Sequence, residues 1–367
     1  MNITFLIGNG FDISLGIQSS YAKFYEWYCD KPSIVGHITA FRKNIQDDVN
    51  NNVPDEDKTW ADFEVGLGKY TSNFDKKTVE QYLNCLEDAQ ENIVEYLKEQ
   101  ESKLDLNSFT EESYNSFKKS ISNFWEEVAD LEKPDIDKSI NAIKNESRII
   151  SFLTFNYTDT LEQILKRFPD DSIETWKYGT TTYSYKINRD VIHLHGTTEH
   201  FPVLGVNDDN QIEKKELLDT PQFREFLLKP ENVRALGEVW HQKAEIQLAQ
   251  SRFVCILGSS LGKTDAKWWI KLVDWLRKDQ NRHIILYWFE KNISNNISSI
   301  KRLRCKNQAK ELFLSYSNIS AKDAESLKNR IHVVINTQKF LKLEKKIEEI
   351  NFADSTSDED IVPVLVK

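Results

Sequence analysis

Glycine is scarce in this chain, 12 in 367 residues, and methionine occurs once. The four cysteines, Cys29, Cys85, Cys255 and Cys305, stand far apart with no CxxC pair, which excludes a zinc ribbon or a disulfide framework as the organising device. Excess positive charge is missing too. The net charge of −10 argues against a general duplex-DNA binder, which needs clustered Lys and Arg, and leaves room only for a local basic groove. No apolar run is long enough to cross a bilayer, the longest late one being residues 284–289. The start lacks a basic n-region, so no signal peptide is expected and the chain reads as cytoplasmic, with no membrane partner. Repeats and low-complexity tracts are absent.

What is present is a large apolar content: 40% hydrophobic residues, with 20 Phe, 13 Tyr and 9 Trp. That rules out a disordered chain and suffices for one large core or two smaller ones. Against the shortage of glycine, Phe5-Leu6-Ile7-Gly8-Asn9-Gly10-Phe11-Asp12 stands out. An apolar strand runs into two glycines, turns, and reads as a helix through Ser19, Ser20, Tyr21 and Phe24. Glycine lets a ligand approach the backbone, and a helix N-terminus beyond it attracts anions.

From there to residue 147 the pattern is helical. Trp60, Phe63, Leu67 and Tyr70 fall at helical spacing, as do Val79, Tyr82, Leu86, Ile93 and Leu97. Residues 109–131 and 136–143 continue in that style, and 47–58 reads as an exposed loop. Strands are then expected over 148–155, 191–196, 203–206, 252–257, 283–289 and 331–335. Helices are expected near 161–165, 231–250, 265–276, 297–316 and 321–329. Short strands apolar on both faces, alternating with helices, indicate a parallel α/β sheet covered on both sides. The gap after the first strand is too long for one crossover. The expected organisation is therefore an α/β domain of residues 1–20 plus 148–340, a helical insertion over 21–147, and a C-terminal helix end with an acidic tail over 341–367.

In open parallel sheets, ligands sit beyond the carboxyl ends of the strands. Four strands end in unusual sequences: GNGFD at 8–12, TFNYT at 154–158, HLHG at 193–196 and GSSLGKTD at 258–265. Convergence of the four would give a pocket walled by backbone with few polar side chains, the profile of a dinucleotide site. Each motif alone has a plainer reading. Ile13 stands where the dinucleotide fingerprint has its third glycine. Asp12 would repel a phosphate, so it either caps the next helix or meets a ribose hydroxyl. Asn156 reads equally as a turn residue. His193 and His195 fall on one face of a strand and are structural or, with His200, metal ligands; no partner with matching spacing exists, so no metal is expected. The Trp268, Trp269, Leu272, Trp275 and Leu276 stripe reads as core.

The first motif, with Gly16 and Ser20-Tyr21-x-x-Phe24, closely resembles the opening of the bacterial abortive-infection AbiH family. Trp60-Ala61-Asp62-Phe63-Glu64 resembles that family's second signature. Gly8-Asn9-Gly10, Asn156, His195-Gly196 and Gly258-Ser259-Ser260 are also similar, in order and kind, to the loops that surround NAD in sirtuins. Departures are Thr158 in place of the sirtuin Asp, Asp12 in place of a Ser, and no zinc-binding cysteines beyond the HG pair. These count against protein deacetylation.

The resemblance implies a Rossmann-like, sirtuin-like sheet with a large helical insertion after the first strand. It also implies an antiphage effector that hydrolyses NAD to nicotinamide and ADP-ribose on infection. Alternatives are a non-catalytic NAD or ADP-ribose sensor and a nucleic-acid-directed toxin. NAD is then substrate, His195 the base and Asn156 the group that orients water or ribose. Gly8, Gly10, Gly258 and Ser259 would hold the pyrophosphate, with Asn9, Phe11, Asp12, Gly196 and Ser260 around it. Asp265 would cap the following helix and bond a ribose hydroxyl. Glu64 or Asp62 would supply a carboxylate to stabilise the cation, or else belong to a solvated helix face. Partners are a homo-oligomer or a defence partner protein, with a phage-derived trigger.

Overall fold

A computed structural model describes residues 1–51, 54, 58–142, 144–293 and 298–345. The first strand, β1 (Asn2–Ile7), is buried from Ile3 onward and leads into α1 (Gly10–Ser14). Helices α2 (Tyr21–Cys29), α3 (Gly36–Val49), α4 (Phe63–Tyr70), α5 (Val79–Ser102), α6 (Glu111–Ser122) and α7 (Lys133–Asn141) precede β2 (Arg148–Thr154). Then come α8 (Thr160–Leu165), β3 (Ser172–Tyr178), β4 (Thr181–Ile187), β5 (Ile192–His193), α9 (Phe223–Leu227), α10 (Lys229–Ala235) and α11 (Trp240–Gln250). The chain closes with β6 (Ser251–Leu257), α12 (Ala266–Lys278), β7 (His283–Trp288), α13 (Ser299–Ser315), α14 (Ala321–Lys328) and β8 (Ile331–Ile335).

The protein is a mixed α/β molecule with a largely parallel central sheet, in the order β3-β4-β2-β1-β6-β7-β8. Among the described strand pairs of this sheet, only the β3–β4 hairpin is antiparallel. β5 pairs the far end of β2, Leu153 opposite Ile192 and Thr154 opposite His193. The chain extends the sheet to one side of β1 first and returns to build the other side from β6 onward. That reversal opens a crevice at the carboxyl end of β1, between β2 and β6.

Side-chain alternation along the strands sorts two cores. Phe5, Phe152 and Phe253 face a layer built by Phe117, Phe124, Ile136 and Ile140. Leu6, Leu153, Val254 and Ile256 face Trp268, Trp269, Leu272, Trp275 and Leu276, so the tryptophan stripe is core, as its spacing predicts. A third cluster joins α2–α5 through Phe24, Phe41, Trp60, Phe63 and Tyr82 to Leu204, Phe223 and Leu227. The segment between β1 and β2 thus supplies both a separate helical cluster and, through α6 and α7, one covering layer of the sheet.

Several boundaries differ from expectation. Ser20 is the cap of α2, accepting from the Lys23 N–H, so the helix starts after it. The helix expected over 231–250 breaks between α10 and α11 at Gly237, whose φ of +75° no helix accommodates. The helix expected over 109–131 covers only α6, and turns follow Asn123. Residues 203–206 contribute one bridge, Val206 with Leu228. The β3–β4 hairpin was not foreseen. Of the loop expected over 47–58, residues 47–49 belong to α3, and 52, 53 and 55–57 lie outside the described residues, as do Ile143 and everything after 345. Among the described residues, no helix is long and apolar enough to cross a membrane.

Candidate functional site

The four strand-end motifs meet. One cleft with about 900 Å³ of free space, part of it open to solvent, is lined by Gly8, Asn9, Asp12, Asn156, His195, Gly258, Ser259, Ser260 and Asp265. Asp62 and Glu64 reach it from α4 and the residue before it, and Tyr21, Phe155 and Tyr157 form aromatic walls. The cleft lies at the carboxyl ends of β1, β2 and β6, where the strand order reverses.

Close backbone approach explains the glycines. A Cβ on Gly8 would stand 2.7 Å from the Gly258 carbonyl oxygen, and one on Gly10 2.7 Å from Gly258 Cα. Gly258 itself has φ +73°. The Gly8 N–H donates to Leu257 O and the Gly10 N–H to Gly258 O, both at 2.8 Å. These two N–H groups serve the contact between loops, which corrects the expectation that they hold a pyrophosphate. Gly10 and Gly196 stand behind the lining; Gly196, φ +74°, turns the chain against the carbonyls of His200 and Phe201. Phe11 is also corrected. Its ring is buried in the sheet core against Phe117, away from the cleft.

Asn156 hangs over the GNG turn: its Nδ2 donates to Gly8 O at 3.3 Å, while Oδ1 is buried without a partner. Asp12 lies inside α1 rather than at its cap. It accepts from the Thr158 hydroxyl at 2.6 Å, and its Oδ1 is also buried and unpartnered. Burial pushes the Asp12 carboxyl up to about 6, against the hydrogen bond from Thr158 and the nearby Asn156 amide.

The densest charge cluster was only half visible beforehand. Glu64 is 3% exposed, which overturns the reading of a solvated helix face. Its Oε2 accepts from Lys229 Nζ at 2.7 Å, and its Oε1 has no partner. Lys229 also donates to Asp265 Oδ1 at 3.1 Å and stands 3.3 Å from His195 Nε2, itself 3.0 Å from Asp265 Oδ1. Asp265 therefore does not cap α12; its carboxylate turns to the lysine and histidine. Burial alone would raise Asp265, but Lys229 and His195 hold it well below the usual carboxylate range. Burial raises Glu64, with Lys229 and His195 offsetting only part. Burial opposes the Lys229 charge, and Asp265 and Glu64 together lift that ammonium above the ordinary lysine value. Asp62 caps α4, accepting from the Glu64 and Val65 N–H groups at 3.0 and 3.1 Å.

His193 is separate. β5 ends at His193, so the two histidines do not share a strand face. His193 Nδ1 meets the Asn156 carbonyl at 2.8 Å and Nε2 meets Glu162 at 2.5 Å, behind the Asn156 turn. Burial opposes its charge, but Glu162 outweighs burial and raises the imidazole. Lys229, Tyr21 and Tyr157 escaped sequence reasoning. Lys229 sits between Leu227-Leu228 and Pro230, and no spacing to another charged residue distinguishes it from a surface lysine. Among the described residues, no group of His, Cys, Asp and Glu is arranged to hold a metal ion.

No curated protein matches the chain. A family model described as bacteriophage abortive infection AbiH matches residues 4–288, and the chain belongs to that family.

Proposed function

We propose that this chain, which its family places in phage abortive-infection defence, acts by hydrolysing NAD to nicotinamide and ADP-ribose. The observation that carries the reading is the meeting of Asn156, His195, the Gly258 loop and the GNG turn in one cleft, at the reversal point of a mostly parallel sheet. In this reading the sheet, from residues 1–20 and 148–340, is a Rossmann-like, sirtuin-like nucleotide-binding body. The helices over 21–147 add the carboxylates.

Three buried acceptors in the lining lack a protein partner: Asp12 Oδ1, Glu64 Oε1 and Asn156 Oδ1. Buried polar atoms seek partners, and a ribose offers hydroxyl donors. Cleavage of the nicotinamide–ribose bond passes through an oxocarbenium-like state, as in glycoside hydrolysis. Nicotinamide leaves neutral, taking the bond's electron pair onto its ring nitrogen, so little acid catalysis is needed. Water attacks the anomeric carbon and gives its proton to His195. Asn156 orients water or ribose, and the Glu64 carboxylate faces the developing positive charge. Turnover awaits infection, so an assembled homo-oligomer or a partner protein and a phage-derived trigger belong to the proposal.

The test is NAD turnover by the purified full chain, supplied with lysate of phage-infected cells. Release of nicotinamide and ADP-ribose that His195→Ala abolishes is the expected result. Tight binding of NAD without cleavage would replace this reading with a sensor.

A further inference from the structure

The buried lysine has no part in the reading above, yet it touches more of the cluster than any other side chain. Lys229 is 4% exposed and enters between groups from three separate stretches of chain: Glu64 on α4, His195 after β5, and Asp265 before α12. An ammonium has three protons and no lone pair. Two go to carboxylate oxygens, Glu64 Oε2 at 2.7 Å and Asp265 Oδ1 at 3.1 Å.

His195 Nε2 lies 3.0 Å from Asp265 Oδ1 and 3.3 Å from Lys229 Nζ. One nitrogen cannot both donate to the carboxylate and accept from the ammonium. The shorter, charge-assisted contact goes to the carboxylate, so Nε2 carries the proton. Nδ1 then carries the lone pair, and no described residue hydrogen-bonds it.

Remove the cation, and Asp265 is a buried carboxyl with Glu64 and Asp62 nearby and only a neutral imidazole, His195, as its partner. A protonated Asp265 would donate to Nε2, which moves the imidazole proton to Nδ1 and removes the base. Resting on the hydrolase reading, we propose that Lys229 is the positioning residue that keeps Asp265 charged and the His195 proton on Nε2, so that Nδ1 is the base. The other titratable groups packed around this pair are Tyr157 and Tyr316, which face Asp265, and His241, which faces His195 and donates its Nε2–H to the Leu194 carbonyl at 2.8 Å. Because Glu64 comes from α4, the same lysine ties the seating of that helix to the state of His195.

The test has two arms on the full chain. In the first, ¹⁵N-histidine spectra, with His195→Gln to assign the signal, report the tautomer. The expected result is the Nε2–H form in the wild type, and the Nδ1–H form or a mixture in Lys229→Met. Lys229→Gln, which keeps donors but no charge, serves if the first variant does not fold, and the same change is expected. In the second arm, turnover is measured against pH with the infected-cell lysate. Lys229→Met is expected to lower kcat by about 100-fold or more, the range of a lost general base. Its acid limb is expected to move to higher pH, which a lysine that only held helices together would not cause. An unchanged tautomer and an unmoved limb would overturn the proposal. A wild type without turnover would overturn the hydrolase reading alone, and the spectra would still decide the role of Lys229.

Discussion

Gly258→Ala tests how the cleft is built. A Cβ there would lie 2.6 Å from Phe11 N, 2.7 Å from Gly8 O and 3.0 Å from Gly10 C. All three are backbone atoms, which cannot swing aside as a side chain can. The residue also keeps φ +73°, a left-handed conformation that costs an L-residue about 1–2 kcal/mol. Overpacking adds about 1–3 kcal/mol, so the variant should lose about 2–5 kcal/mol in all. Gly179→Ala is the control. Its φ is +62° and nothing lies within 4 Å, so only the conformational cost of about 1–2 kcal/mol applies. Urea unfolding of both variants, with the midpoint and slope compared with wild type, reads the difference. Equal losses in the two would refute the claim that the GNG and GSS loops are held by mutual backbone contact.

Asp12→Asn should stabilise the protein in a pH-dependent way. The folded carboxyl at about 6, against 3.8 unfolded, binds its proton more tightly folded than unfolded. Its contribution is therefore full below pH 3.8 and is lost as pH rises through 6, a difference of about 3 kcal/mol at 1.36 kcal/mol per unit. The gain in the variant should grow between pH 4 and 6 and level off above, by urea unfolding at each pH; a pH-independent gain would contradict it. Gly66→Ala would place its Cβ 2.2 Å from the Trp60 ring, and thermal unfolding should show a loss of about 1–3 kcal/mol, the cost of overpacking. No loss there would mean that Trp60 has room to move.

Much of the sheet was legible because its strands are buried on both faces and so appear as apolar runs, as in Phe5-Leu6-Ile7 and Val254-Cys255-Ile256. The β3–β4 hairpin was not, since its residues are mostly exposed and its Thr, Ser and Lys break any apolar run. Its signal was the two-residue turn of Gly179 and Thr180 between Trp176 and Tyr183, which stack across the strands. At the site, Asn156, His195 and the glycines announced themselves at strand ends. Glu64 was marked only through its WADFE signature, and Lys229 not at all, because a buried ion pair spans 165 positions of sequence and leaves no local spacing to read. Phe11 misled for the opposite reason: it sits inside a functional motif while its ring packs in the core. Asp12, read as a cap or a ribose contact, is a buried carboxyl that accepts from Thr158 in the turn after β2.

On the proposed hydrolase reading, this cleft destroys NAD when phage attacks. Cellular NAD measured through infection, in cells carrying the wild type, Asn156→Ala or His195→Ala at equal protein levels, tests it most directly. Hydrolysis in this cleft should collapse NAD, with rising nicotinamide and ADP-ribose, in the wild type alone, and both variants should lose phage protection. Constant NAD in protected wild-type cells, or protection that survives His195→Ala, would contradict it.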